Sequence, residues 1–115
     1  MERNETFDKF FELKCKQLLC RLWLMAFAKP GYVNDEFGLC MKHMEVQAKQ
    51  EAINDELIKL LTEHKSDFEN TEMKDLEAYG KEYKVSMEKQ KEFAKELLGQ
   101  EWTIEELMEK VEKRY

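Results

Sequence analysis

Inward-facing positions recur along the stretch from Met73 to Leu98 at steps of three and four, without interruption. These positions are Met73, Leu76, Gly80, Tyr83, Met87, Gln90, Ala94 and Leu97. The spacing predicts a single long helix whose seam packs against other helices along its whole length. The next residue, Gly99, is suited to cap the C-terminus of this helix. We therefore expect the rest of the fold to be built around helix packing.

The composition of this seam also indicates what packs on it. A leucine zipper would need branched aliphatic residues at the inward positions, whereas this seam has Gly80, Gln90 and Ala94. The small residues leave room for bulky side chains from another helix, and the first predicted helix offers Phe10, Phe11, Trp23 and Phe27. At Gln90 we expect a water, a polar partner or the edge of an interface.

The first predicted helix runs from Thr6 to Ala28, where apolar residues recur at helical spacing and Asp8 and Glu12 lie on the outer, solvated side. Its second half, from Leu18 to Ala28, is apolar all round. We expect it to be covered on nearly all sides, either by the rest of the monomer or by a second subunit. The segment from Lys29 to Val33 contains Pro and Gly and ends the helix.

A second helix is predicted from Asp35 to about Glu63, with Asn34 as its N-cap. The apolar stripe thins near the middle, so this helix is either continuous or split at Asn54. The sequence also offers two possible start positions for the third helix. This helix begins at Ser66, which fits a capping box with Glu69, or at Thr71.

The last helix carries the clearest local signature in the chain. Thr103 and Glu106 form a capping box, and Trp102 and Leu107 occupy the two positions of a hydrophobic staple. These residues predict a short C-terminal helix from Ile104 to Arg114. Its apolar face is large enough to dock on the other helices or on another chain.

The composition fits these four helices. A chain of 115 residues with a single Pro and four Gly has little material for turns or strands. Three long segments of similar length, joined by short loops, favour an antiparallel arrangement. We therefore predict an all-α fold: one domain spanning residues 1–115, built as an antiparallel bundle of three long helices plus a short C-terminal helix.

The negative charge of the chain is concentrated in one segment. The sequence has 25 acidic and 19 basic residues, and the resulting charge of −6 lies entirely within residues 51–77, where nine acidic residues face three lysines. This distribution argues against direct nucleic-acid binding, which needs a basic footprint. It suits a partner protein with a basic surface, or it simply keeps an exposed end of the bundle soluble.

The residues expected to contact such a partner are the acidic side chains of this segment and one exposed aromatic residue. They are Asp55, Glu56, Glu63, Asp67, Glu69, Glu72, Asp75, Glu77 and Trp102. Tyr79 is a further aromatic residue that the pattern leaves at the surface. Met and aromatic residues are common at protein interfaces, although most Met residues on a helical stripe belong to the core.

The cysteines and the apolar segments indicate the cellular compartment in which the protein is expected. Cys15, Cys20 and Cys40 are odd in number and lack CxxC spacing, and the chain does not begin with a secretion signal. We therefore expect reduced thiols in a cytoplasmic protein. The most apolar run, Leu18 to Ala28, contains Arg21 and is well short of the roughly 20 residues that a membrane span requires.

One constellation has the residue types for chemistry. Glu36, Cys40, His43 and Gln47 fall within about 40° of each other around a helix, and a nearby imidazole can lower the pKa of a thiol. Such a stripe fits a small thiol-dependent enzyme, or half of a metal site completed by a cysteine of the first helix. Against a metal, Cys15 and Cys20 point about 140° apart. The other interpretation of Cys40 is a small buried hydrophobic residue.

No catalytic or cofactor motif accompanies this stripe: the sequence has no P-loop, GxGxxG or HExxH pattern. The preferred hypothesis is a non-enzymatic regulator or inhibitor that binds another protein without a cofactor and forms a homodimer. Phage-encoded inhibitors and other mobile-element factors include small acidic helical proteins of this general type. The alternatives are a small thiol- or metal-dependent enzyme using Cys40 and His43, and a structural subunit that forms an intermolecular coiled coil.

Overall fold

Six α-helices and no strand make up the described part of the chain. The computed structural model describes residues 3–27 and 37–114, except for the side chains of residues 37–40. The helices are α1 (Glu5–Phe27), α2 (Phe37–Glu63), α3 (Lys65–Glu69), α4 (Met73–Glu82), α5 (Met87–Leu98) and α6 (Ile104–Arg114). The predicted all-α class is confirmed. Within these ranges, no helix combines the length and apolar character needed to cross a membrane.

The start of α1 is fixed by Asn4. Its side-chain oxygen accepts the backbone N–H groups of Thr6 and Phe7, at 3.0 and 3.2 Å, so two donors of the first turn are satisfied. The helix then continues to Phe27, close to the predicted bounds. The predicted terminator from Lys29 to Val33 and the predicted cap Asn34 lie outside the described residues.

Helices α1 and α2 lie antiparallel and form the largest contact of the fold. Near the middle of each helix, the side-chain amide of Gln17 donates to the side-chain oxygen of Asn54 at 2.6 Å. At one end, Phe10 of α1 packs on Phe68, just beyond the C-terminus of α2. At the other end, Phe27 and Lys42 line the same cavity. Helix α2 is continuous, so Asn54 lies inside it and does not cap a second helix.

The prediction of a single helix from Met73 to Leu98 was wrong, because the chain leaves helical geometry between α4 and α5. Tyr83 has φ −88° and ψ 76° and ends α4. Ser86 is extended, and its hydroxyl oxygen accepts the N–H of Lys89 at 3.2 Å as the N-cap of α5. Ser is a strong N-cap and competes with helix continuation at this position.

The predicted starts for the third helix were also wrong. Helix α3 begins at Lys65 with His64 at its N-cap position, so Ser66 lies inside that helix. Helix α4 begins at Met73 after Glu72, which makes no side-chain capping bond. Thr71 instead donates its hydroxyl to the backbone oxygen of Asp67 at 2.8 Å.

Six of the eight seam positions predicted to face inward are buried or half-buried, but the prediction was wrong for Met73 and Met87, which are 72% and 58% exposed. Gly80 lies against the ring of Phe11, so the prediction that a small seam residue makes room for an aromatic side chain of α1 is confirmed at this position. Ala94, Leu97 and Leu98 are buried in a core shared by α1, α2, α5 and α6. An intermolecular coiled coil through this seam would have to displace these contacts.

The predicted caps around α6 are confirmed. Gly99 ends α5 in the left-handed conformation, with φ 79°. The hydroxyl oxygen of Thr103 accepts the N–H of Glu106, and the Glu106 carboxylate accepts the N–H of Thr103, both at 3.2 Å. Thr103 and Leu107 are buried, so α6 is fixed to the core from its first turn.

The second half of α1 is less covered than the sequence predicts. Leu19, Leu22 and Trp23 are buried, but Leu18 and Met25 keep 38% and 40% of their surface exposed. Leu18, Arg21 and Met25 are spaced by three and four residues and therefore share one face of α1. The monomer leaves this apolar face partly open.

Candidate functional site

The acidic residues predicted to bind a partner are all exposed. They lie on the C-terminal half of α2, on the short helix α3 and at the start of α4. They are Asp55, Glu56, Glu63, Asp67, Glu69, Glu72, Asp75 and Glu77. These eight residues are called the acidic surface below.

Half of the acidic surface is paired with neighbouring side chains, and half is not. The pairs are Lys59–Glu63 at 3.9 Å, His64–Asp67 and Lys65–Glu69 at 3.6 Å, and Lys74–Glu72 at 3.5 Å. Exposed pairs of this kind contribute little to stability and are easily exchanged. Asp55, Glu56, Asp75 and Glu77 make no ion pair within the described chain and remain open to an external cation.

An aromatic cluster holds this surface on α1. The ring of Phe68 in α3 lies 5.4 Å from the rings of both Phe7 and Phe10 in α1. Tyr79 of α4 contacts Phe7 edge-on at 5.5 Å and stacks on Phe11 at 6.1 Å. Aromatic pairs in these geometries bury a large apolar area. The short helices that carry the carboxylates are therefore anchored.

Trp102, the ninth predicted residue, lies at the other end of α1. Its ring packs on Phe27 at 5.8 Å, and the ammonium of Lys110 lies 5.8 Å from the ring centre. Trp102 is partly buried at the margin of the core, and its Nε1 is buried with no hydrogen-bond partner in the described chain. The structure therefore does not bring Trp102 together with the acidic surface.

A network of titratable side chains joins α1 to α4. Asp8, predicted to lie on the solvated side of α1, is buried, as is Tyr79, predicted to lie at the surface. The Tyr79 hydroxyl donates to Asp8 and accepts the backbone N–H of Asn4 at 2.9 Å. Arg3 donates to the other oxygen of Asp8 at 2.9 Å. The Tyr79 hydrogen bond is the main cause that holds the pKa of Asp8 below its ordinary value, and Arg3 adds to it against the effect of burial.

One turn further along, a second group repeats this arrangement. The carboxylate of Glu12 accepts from the Tyr83 hydroxyl at 2.9 Å and from the ammonium of Lys89 at 2.7 Å. Burial raises the pKa of Glu12, but the two hydrogen bonds outweigh burial and the pKa lies below its ordinary value.

Together the two groups tie α4 and the start of α5 to α1. Since every member is already satisfied by another, the network is a structural tie and leaves no free group for chemistry. The sequence signal for it is a pair of carboxylates four residues apart facing a pair of tyrosines four residues apart. That signal becomes visible only once the two helices are known to be neighbours.

The predicted thiol stripe is described only in part. The side chain of Cys40 lies outside the described residues, and His43 is half-buried. Cys15 and Cys20 are buried, and burial raises the pKa of each thiol to about 11, which suppresses the nucleophilic thiolate. Among the residues whose side chains are described, no cluster of His, Cys, Asp and Glu could hold a metal ion. A reactive Cys40 stays a prediction.

Comparisons of the chain with protein-family models, with curated proteins and with solved structures find no match. A functional proposal for this chain therefore rests on its own residues.

Proposed function

We propose that this protein is a non-enzymatic regulator or inhibitor that binds a partner protein with a basic surface through the acidic surface. The observation that carries the proposal is the exposure of all eight carboxylates on one continuous segment, with four of them unpaired within the described chain. Lysine and arginine side chains of a partner would supply the missing charge.

The anchoring of this surface supports the proposal. Phe68 is packed against Phe7 and Phe10, and Tyr79 is hydrogen-bonded to Asn4. Because these contacts already order α3 and α4, little backbone freedom remains to be lost on binding. In this proposal α4 and α5 together serve as the third helix of an antiparallel bundle and present the acidic surface at one end.

The test is affinity capture from a lysate of the source cells, followed by binding measurements with the captured protein. One variant neutralises the four unpaired carboxylates: Asp55→Asn, Glu56→Gln, Asp75→Asn and Glu77→Gln. The matched control removes the same charge outside the acidic surface, at four exposed positions: Glu88→Gln, Glu92→Gln, Glu96→Gln and Glu101→Gln.

We expect the wild type and the control to bind with similar affinity, and the neutralised variant to bind at least about ten-fold more weakly. Circular dichroism should show the same helix content for all three chains, because every substituted side chain is exposed. Equal affinity for all three chains, or a captured protein without a basic surface, would contradict the proposal.

A further inference from the structure

Two adjoining grooves are lined by no residue of the acidic surface, and the first is basic. It has a volume of about 450 Å³ and runs between α1 and the connection from α4 to α5. Phe11, Leu18 and Val85 contribute apolar lining, while Lys14, Arg21 and Lys84 contribute positive charge. No carboxylate lines this groove among the described residues. The charge of this groove is therefore positive, although the chain as a whole has a net charge of −6.

The second groove, of about 550 Å³, has the opposite charge. It lies between the start of α5 and α6, and two exposed methionines, Met87 and Met108, provide apolar surface. Its charged residues are Glu105, Glu109 and Glu112, and no cation of the described chain lines it. Gln90 and Ile104 line both grooves, so the basic and the acidic groove meet at these two residues.

The charges on both sides are available to a partner. Lys14, Arg21 and Lys84 are exposed and form no ion pair within the described chain. On the acidic side, Glu105 and Glu112 likewise lack an ion pair among the described residues. Glu109 pairs with Lys113, one turn later on the same helix, at 3.5 Å, and both side chains are exposed.

The apolar surface between these charges is also open. Leu18 is 38% exposed, Met87 58% and Met108 48%. Leu18 belongs to the second half of α1, which is apolar on all sides. The other helices of the monomer bury this half only in part, since Leu18 and Met25 stay exposed. Met87 and Met108 have flexible side chains, which suit them to pack against the apolar surface of a partner.

We infer that the two grooves form one self-complementary face on which a second copy of this chain docks. In a two-fold symmetric dimer, each copy presents the same patch to the other in reversed orientation. With the axis near Gln90 and Ile104, the basic groove of each copy meets the acidic groove of its partner. The exposed Leu18 and Met108 then become covered at the centre of both contacts.

The distribution of net charge is compatible with this dimer. The excess of −6 lies within residues 51–77, and none of these residues lines either groove. The positive charges of the basic groove and the negative charges of the acidic groove are equal in number, three each. Because the residues of the dimer face and of the acidic surface do not overlap, the dimer and the proposed function can fail separately.

The test uses two charge-reversed chains. The first, Lys14→Glu with Arg21→Glu, makes the basic groove acidic, and the second, Glu109→Lys with Glu112→Lys, makes the acidic groove basic. We expect each to be monomeric in sedimentation at about 100 µM, where the wild type is dimeric. An equimolar mixture of the two is expected to dimerise, because each groove then meets a partner groove of opposite net charge. A control, Lys9→Glu with Lys91→Glu, changes exposed lysines outside both grooves and should dimerise like the wild type.

Zero-length cross-linking of a mixture of isotopically light and heavy wild-type chains tests the contact without substitutions. We expect links between copies that join Lys14 or Lys84 to Glu105, Glu109 or Glu112. A wild type that stays monomeric would overturn the inference, as would variants that each remain dimeric, or a mixture that stays monomeric while both chains keep wild-type helix content. Links between copies that avoid both grooves would overturn it as well.

Discussion

The ring of Phe11 occupies the space directly in front of Gly80. A Cβ atom added at Gly80 would lie 2.5 Å from Cε1 and 2.6 Å from Cζ of that ring. The ring itself is held by Phe10 edge-on at 5.1 Å and by Tyr79 stacked at 6.1 Å. The absence of a side chain at this position therefore sets how closely α4 approaches α1, and with it the placement of the acidic residues that α4 carries, Asp75 and Glu77.

Gly80→Ala tests this close approach. Helix propensity alone would stabilise the protein by about 1 kcal/mol, whereas overpacking against a confined ring costs about 1 to 3 kcal/mol. We expect a net loss of about 1 kcal/mol in the free energy of unfolding, measured by urea denaturation. Adding Phe11→Leu to this variant should cost less than Phe11→Leu costs in the wild type. A Gly80→Ala chain more stable than the wild type would show that the ring moves freely.

Gln90→Leu tests the polar position of the seam. The side-chain oxygen of Gln90 accepts the N–H of Ile104 at 2.9 Å, and its amide donates to the Val85 oxygen at 3.0 Å. Leucine leaves both backbone groups without these partners, so we expect a loss of about 1 to 3 kcal/mol and faster hydrogen exchange at the Ile104 amide. Gln47→Leu, the same change at an exposed position of α2, is the control and should alter stability by well under 1 kcal/mol.

Tyr79→Phe tests the tie between α1 and α4. The substitution removes the hydroxyl that donates to the buried Asp8, and we expect a loss of about 1 to 3 kcal/mol at neutral pH. Tyr83→Phe is a useful comparison. Each carboxylate keeps a hydrogen bond from a cation, Arg3 or Lys89, but Glu12 is less buried than Asp8, so the loss there should be smaller.

The same variant has a defined pH dependence. The pKa of Asp8 is lowered in the folded protein, chiefly by Tyr79, from an ordinary value of 3.8. The carboxylate therefore contributes stability that is fully present above the unfolded pKa and is lost as the pH falls through the lower, folded pKa. The stability difference between Tyr79→Phe and the wild type should shrink as the pH is lowered below about 3.8. A difference that stays constant down to acid unfolding would contradict this role of Asp8.

The thiols give a prediction that also bears on the enzyme alternative. Because the pKa values of Cys15 and Cys20 are raised to about 11, alkylation at about pH 8 should be slower than that of free cysteine by on the order of 100-fold or more. Peptide mass spectrometry resolves each site, and the denatured chain is the control. Fast labelling of Cys15 or Cys20 would contradict their burial. A Cys40 more reactive than free cysteine would favour the alternative of a thiol enzyme.

Local signals in the sequence were sufficient for much of the fold. The Thr103–Glu106 capping box and Gly99 define their helix ends through contacts within a few residues, and both are found as predicted. The break at Ser86 was missed because the seam spacing continues across it. A seam records which residues face inward, whereas the break depends on competition between a local N-cap and the helix.

The network around Asp8 could not be predicted for a different reason. A charged residue next to Lys9 on an amphipathic helix is ordinarily solvated, and only the arrival of Tyr79 from a distant part of the chain makes its burial favourable. The exposure of the acidic residues was predictable because charge alone keeps them in water. Their separation from Trp102 depends on tertiary packing at the two ends of α1.

The decisive measurement is the salt dependence of partner binding. It compares the wild type with the neutralised variant, in which Asp55, Glu56, Asp75 and Glu77 are replaced by Asn or Gln. If the acidic surface binds a basic partner, the dissociation constant of the wild type should rise about ten-fold or more between about 0.05 and 0.5 M salt, because exposed charges are screened. The variant should lose most of this dependence. A dissociation constant that changes neither with salt nor with the four substitutions would contradict binding through the acidic surface.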